Sequence, residues 1–150
     1  MYGPVLLTRE VVEGMKERFE KTGKRSLITF TSAMASICPC PTIGLYSSSK
    51  IFNDFIAWGL RYEHAKYNID ISSWRAAGVS TNIVGNPKAN LAMATAKGYV
   101  WQAMGKCTST VHSGYIVHEI IHLVHTNLKD LFGYTFCMWF FEQLFKSHGT

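Results

Sequence analysis

The chain has no glycine-rich turn. None of its 12 glycines is separated from another by a single residue, so no G-x-G brings the backbone close to a phosphate. It also lacks a membrane-spanning run: the uncharged stretch from Leu131 to Phe141 falls short of the about 20 residues that cross a bilayer. Cysteine is scarce and badly spaced for metal or disulfides. Of Cys38, Cys40, Cys107 and Cys137, only the first two are close, and one intervening residue is too few for the usual zinc pair. Reduced thiols in a reducing compartment are expected. Charge is thin, at 17% of residues and a net +5. Cations alternate with acids, as in Glu13-Gly14-Met15-Lys16-Glu17-Arg18, which reads as a solvated helix face and not as a nucleic-acid-binding patch. The slight basic excess suits an anionic lipid or a CoA-type ligand. No signal peptide is visible, because charge arrives by Arg9 and no cleavage site follows an apolar core. An intracellular protein is the expectation.

What is present suffices for one domain over residues 1–150. Nearly half of the residues, 47%, are apolar, and 13% are aromatic, enough for a sizeable core. Leu7, Val11, Val12, Met15 and Phe19 recur at helical spacing, with Gly23 as a stop. Ser26 to Thr31 reads as a strand, and Pro39 and Pro41 hold a loop. A helix begins near Tyr46 and continues through Ile51, Phe52, Phe55, Ile56 and Leu60, an apolar stripe for a core or a dimer interface. Ile69 to Trp74 reads as a second strand. Asn86-Pro87 predicts a helix start running to about Met104, with Asn as N-cap and Pro at N1. Tyr115 to His118 reads as a third short strand. A helical region follows, then a greasy C-terminal helix over 129–146 suited to a core, a partner or a membrane surface. Alternating helices and strands imply parallel pairing, hence an α/β fold.

Two spacings carry chemistry. Tyr46 and Lys50 stand four apart at a helix start, so both side chains share one face. An ammonium beside a phenol favours the phenolate and lowers its pKa from about 10. Such a Tyr exchanges a proton with a carbonyl or alcohol oxygen near neutral pH. The second spacing is His118-Glu119-Ile120-Ile121-His122, in which two histidines one turn apart match a zinc-hydrolase pattern with Glu as base. His125 lies on the same helix, and one straight helix does not wrap three ligands around a tetrahedral ion. Metal binding is therefore the lesser alternative.

The run from Ser26 through Tyr46 and Lys50 to Val79-Ser80-Thr81 resembles the second half of a short-chain dehydrogenase/reductase. Pro39, Pro41, Phe52-x-Asp54-Phe55 and Gly114-Tyr115-Ile116-Val117-His118 resemble the very-long-chain 3-oxoacyl-CoA reductase and 17β-hydroxysteroid dehydrogenase type 12 branch. The resemblance implies a partial Rossmann-like fold with about three parallel strands. It implies Tyr46 as acid/base, Lys50 lowering its pKa and holding the nicotinamide ribose, and Thr81 contacting the carboxamide or phosphates. NADP(H) would be the cofactor, with an acyl-CoA or steroid-like substrate, at the endoplasmic reticulum or another organelle membrane. The pattern breaks at the substrate-orienting Ser, thirteen residues before the Tyr, which here is Ala33. Ser32 is next to that position, Ser36 is three away, and a hydroxyl displaced by one on a strand points to the opposite face. The family's T-G-x-x-x-G-x-G and N-N-A-G are not in these residues, so the chain alone is expected to hold no cofactor and little or no activity.

In the family order the Ser26–Thr31 strand would have a neighbour from the first half. Without it, Leu27, Ile28 and Phe30 form an apolar edge with no Pro or Lys in the run. A protein partner or second copy covering strand 26–31 is expected.

Overall fold

The computed structural model describes residues 2–147 apart from 86, with side chains to 143. Helix α1, Tyr2–Thr22, ends at Gly23, whose φ of +67° lets its N–H reach the Phe19 carbonyl at 2.7 Å. Strand β1, Ser26–Ala33, then leads through a short 3₁₀ turn and the Pro39–Pro41 loop into α2, Gly44–His64. Strand β2 spans Ile69–Ala76 and pairs with β1 in parallel, from Ser26 against Ile69 to Ala33 against Ala76. A two-residue strand, β5 (Val111–His112), flanks β2 on its other side, so the sheet order is β1-β2-β5 and β1 is an edge.

The burial pattern explains the layering. Phe30 of β1 and Ile69 and Ile71 of β2 point to one face, where Val12 and Ala57 close over them. Met15, Ile28, Ile56, Leu60 and Tyr67 pad this core. Each large aliphatic side chain so buried stabilises the fold by roughly 1.5–3 kcal/mol. Leu7 and Val11 of the expected stripe stay exposed, beside the open edge of β1.

A second, two-stranded sheet was not legible in advance. Strands β3 (Gly78–Ser80) and β4 (Met93–Thr95) pair in parallel, and α3 follows at Ala96–Met104. This corrects the long helix expected from Pro87. Residues 87–92 are not helical, and Asn86 lies outside the described residues. Thr95, not Asn86, caps α3, its hydroxyl oxygen accepting from Gly98 N at 3.1 Å. Ala94, Tyr99 and Ala103 form a second core with Trp74, Ala76, Val79 and Tyr115.

The expected strand at Tyr115 to His118 is also corrected. The strand lies earlier, at β5, and Ile116 already starts α4, Ile116–Ser147. Gly114 makes the turn between them at φ +75°, and a Cβ there would meet Ala103 Cβ at 2.9 Å. The second helix expected from Lys129 is present but begins after Gly133: α4 breaks there (φ 78°, ψ 175°) and folds back, bringing the Phe141 and His125 rings to 4.6 Å.

Candidate functional site

Two threads tie the start of α2 to the end of β1. The Ser32 hydroxyl donates to the main-chain carbonyl of Lys50 at 3.0 Å. The Lys50 ammonium donates back to the Thr31 carbonyl at 3.0 Å, and the Asn53 amide reaches the same oxygen at 3.1 Å. Thr31 sits on the edge strand, so these side chains satisfy a carbonyl that lacks a ladder partner.

Tyr46 and Lys50 do share a helix face. The ammonium lies over the phenol ring, 5.3 Å from its centroid. Tyr46 is half-exposed, at 47%. Its phenol is pushed above the ordinary 10.0 by burial of the hydroxyl end and by the neighbouring Cys40. The expectation that Lys50 lowers this pKa is thus corrected for the chain by itself. The charge stands over the ring face, where it attracts the π system, and its donors are directed at Thr31. A neutral phenol has the chemistry to donate a proton to a carbonyl oxygen.

Ala33 is buried opposite Ala76 and offers only a methyl group. Neighbouring Ser32 is buried with its hydroxyl turned to α2. The Ser36 hydroxyl is buried with no hydrogen-bond partner among the described residues. A cavity of about 300 Å³ borders this region, lined by Ser36, Cys38, Ser47, Ser48, Ile51 and Tyr134. Thr81 follows β3 in the smaller sheet, extended at φ −146°, with its carbonyl accepting from Val84 N at 3.1 Å.

A buried polar network went unnoticed in the sequence. Asp54, 1% exposed, accepts from the Ser73 hydroxyl at 2.7 Å and from Arg75 Nε at 2.8 Å. Arg75 NH1 lies 2.8 Å from His122 Nε2. The chain thus links α2, the end of β2 and α4. The signal available was an Asp inside the apolar Phe52–Phe55 segment, since a buried carboxylate demands a partner.

That network also shows what the H-E-x-x-H residues do. His122 faces Arg75. His118 is fully buried, with Nε2 3.2 Å from the Ala92 carbonyl and Nδ1 accepting weakly from Ala77 N at 3.4 Å. Glu119 accepts from Ser113 N at 2.8 Å and pairs with Lys106 at 3.3 Å. His125 Nε2 lies 3.7 Å from Cys38 Sγ. Among the described residues, no three His, Cys, Asp or Glu side chains are grouped to hold a metal ion. Burial lowers the pKa of His118, His122 and His125, keeping the rings neutral. The four thiols are free, and Cys38, Cys40 and Cys137 are buried.

Several known proteins are similar to this chain. The short chain dehydrogenase family matches residues 1–92. A 17-beta-hydroxysteroid dehydrogenase type 3 from Danio rerio is 32% identical over 118 residues, covering 78% of this chain and 37% of that protein. A very-long-chain 3-oxoacyl-CoA reductase from Mus musculus is 26% identical over 141 residues, covering 92% of this chain and 43% of that protein. The chain therefore spans less than half the length of these relatives. A bulky-bulky ketone specific alcohol dehydrogenase from Comamonas testosteroni shares the fold at a TM-score of 0.57 and 20% identity, over 88% of this chain and 50% of that one.

Proposed function

We propose, from the premise that this chain belongs to the short chain dehydrogenase family, that it supplies the proton-donating part of a reductase site and is inactive by itself, acting as an accessory subunit. Its relatives are reductases of 3-oxoacyl-CoA and dehydrogenases of 17-beta-hydroxysteroids, so the substrate class is a long-chain or steroid-like ketone. The observation that carries the reading is at positions 32 and 33. Ala33 presents no hydroxyl, and Ser32 spends its own on the Lys50 carbonyl. Without a preorganised donor on the reacting carbonyl, the rate falls on the order of a hundredfold or more. Tyr46 remains as the proton source.

By family resemblance, the residues of this chain concern only the nicotinamide end of NADP(H). Lys50 would hold the ribose, and Thr81 the carboxamide or phosphates; bound, the cofactor would supply hydride. No glycine-rich turn for the pyrophosphate lies within these 150 residues, so cofactor binding needs a segment beyond them. The purified chain should neither oxidise NADPH with a 3-oxoacyl-CoA or steroid ketone nor bind NADPH in a calorimetric titration. Micromolar binding or turnover would overturn this reading.

One observation favours a second reading, in which this chain is completed as a split reductase. The free edge of β1 runs along a groove of about 620 Å³ lined by Leu7, Val11, Ile28 and Phe30. A segment from another polypeptide would pair there and cover it. Co-expression with the first half of a family reductase tests this. NADPH-dependent reduction that disappears with Tyr46→Phe supports it, and a mixture that stays separate and inactive excludes it.

A further inference from the structure

We propose that the cavity between the 35–39 turn, α2 and the segment of α4 after Gly133 binds a small uncharged molecule with an apolar body and one hydrogen-bonding oxygen, an alcohol or a ketone. The cavity measures about 300 Å³, at the small end of ligand sites. Ser36 carries the argument. It lines the cavity and is 3% exposed, yet its hydroxyl has no hydrogen-bond partner among the described residues. A buried hydroxyl left without a partner is costly, and a ligand oxygen at the cavity wall relieves that cost. Two other buried polar groups in the wall are already engaged. The Ser47 hydroxyl donates to the Gly44 carbonyl at 3.0 Å, and the Cys38 thiol lies 3.7 Å from His125 Nε2.

The lining fixes the chemical class. Ile37, Pro39 and Ile51 give an apolar wall, and none of the described residues that line the cavity carries a charge. An ionised ligand would lose its hydration there without a counterion. A hydroxyl both donates and accepts, so Ser36 can pair with an alcohol or with a carbonyl oxygen. This site is separate from the one around Tyr46. At ~100° per residue, Gly44, Ser47, Ser48 and Ile51 centre on a direction roughly 140° around α2 from Tyr46, Lys50 and Asn53. Tyr46, Lys50, Ala33 and Thr81 do not line the cavity. Binding here therefore does not depend on any reductase activity.

The test is amide NMR of the full chain titrated with cyclohexanol, with cyclohexanecarboxylate as the charged counterpart of similar shape. Cyclohexanol should bind saturably and shift the amides of Ser36, Cys38, Ser47 and Ile51, and the carboxylate should not. Ser36→Ala should weaken cyclohexanol binding about fivefold, the worth of one neutral hydrogen bond, while the melting temperature of the free chain holds or rises. Ser48→Trp places a bulky ring at an exposed position of the lining and should abolish the binding with the fold intact. Affinity unchanged in Ser36→Ala, equal binding of the carboxylate, shifts gathered at Tyr46 and Lys50, or no saturable binding would each overturn the proposal. So would a lower melting temperature of ligand-free Ser36→Ala, since it would give that hydroxyl a partner within the chain.

Discussion

The Ser32 hydroxyl, one residue away from the position where the family places its substrate-orienting Ser, is bonded to the main-chain carbonyl of Lys50 at 3.0 Å. It fastens the end of β1 to α2, the helix that carries Tyr46. Ser32→Ala should cost about 1 kcal/mol, the usual net value of one such bond. Urea denaturation measures it. Ala33→Ser, by contrast, should raise carbonyl reduction in a completed complex, because it restores a donor on the reacting side. A completed complex whose rate is unchanged by Ala33→Ser would show that this position is not what limits activity.

Tyr46 titrates above the ordinary phenol value in the isolated chain, because its hydroxyl end is partly buried and Cys40 lies nearby. Difference ultraviolet spectroscopy against Tyr46→Phe should therefore show the missing phenolate transition above pH 10. A transition near neutrality would mean that Lys50 tunes the phenol without a cofactor.

Breaking the buried network should be costly. Asp54→Ala leaves Arg75 without its partner carboxylate and the Ser73 hydroxyl unpaired. Removing one member of a buried pair typically costs about 3–5 kcal/mol. Thermal melting should show a large loss, and a shift comparable to that of an exposed pair such as Lys21–Glu17 would refute the assignment.

Acid should loosen α4. Burial lowers the pKa of His118, His122 and His125 below 6.5, with Arg75 adding to the effect on His122 while Glu119 and Asp54 oppose it. For a group depressed in the folded state, the stabilisation is complete above its unfolded pKa and is lost as pH falls through the folded one. Melting temperature should be flat above about pH 7 and fall as pH drops below about 6.5. His122→Gln should flatten part of that slope. Equal slopes for both proteins would remove His122 from the account.

Local chemistry made much of this legible in advance. The stop at Gly23, the β-rich runs at Ser26 and Ile69, and the one-turn spacing of Tyr46 and Lys50 are properties of short segments, so the sequence determined α1, β1, β2 and α2 and placed both side chains on one helix face. The alternation of helix and strand determined parallel pairing. Competing long-range terms decided the rest. Pro87 had helix-start chemistry, but pairing of β3 with β4 drew residues 93–95 into a strand and delayed α3 to Ala96. Tyr115 to Val117 had strand-like side chains, but Gly114 turned the chain and the second core took up Tyr115. The H-E-x-x-H spacing put two histidines on one side of a helix. Only the tertiary structure showed them turned to Ala92 and Arg75. Tyr46 is a similar case: sequence spacing brings Lys50 within reach of the ring, but only the tertiary structure shows the ammonium donating to the Thr31 carbonyl and the phenol raised by burial and by Cys40.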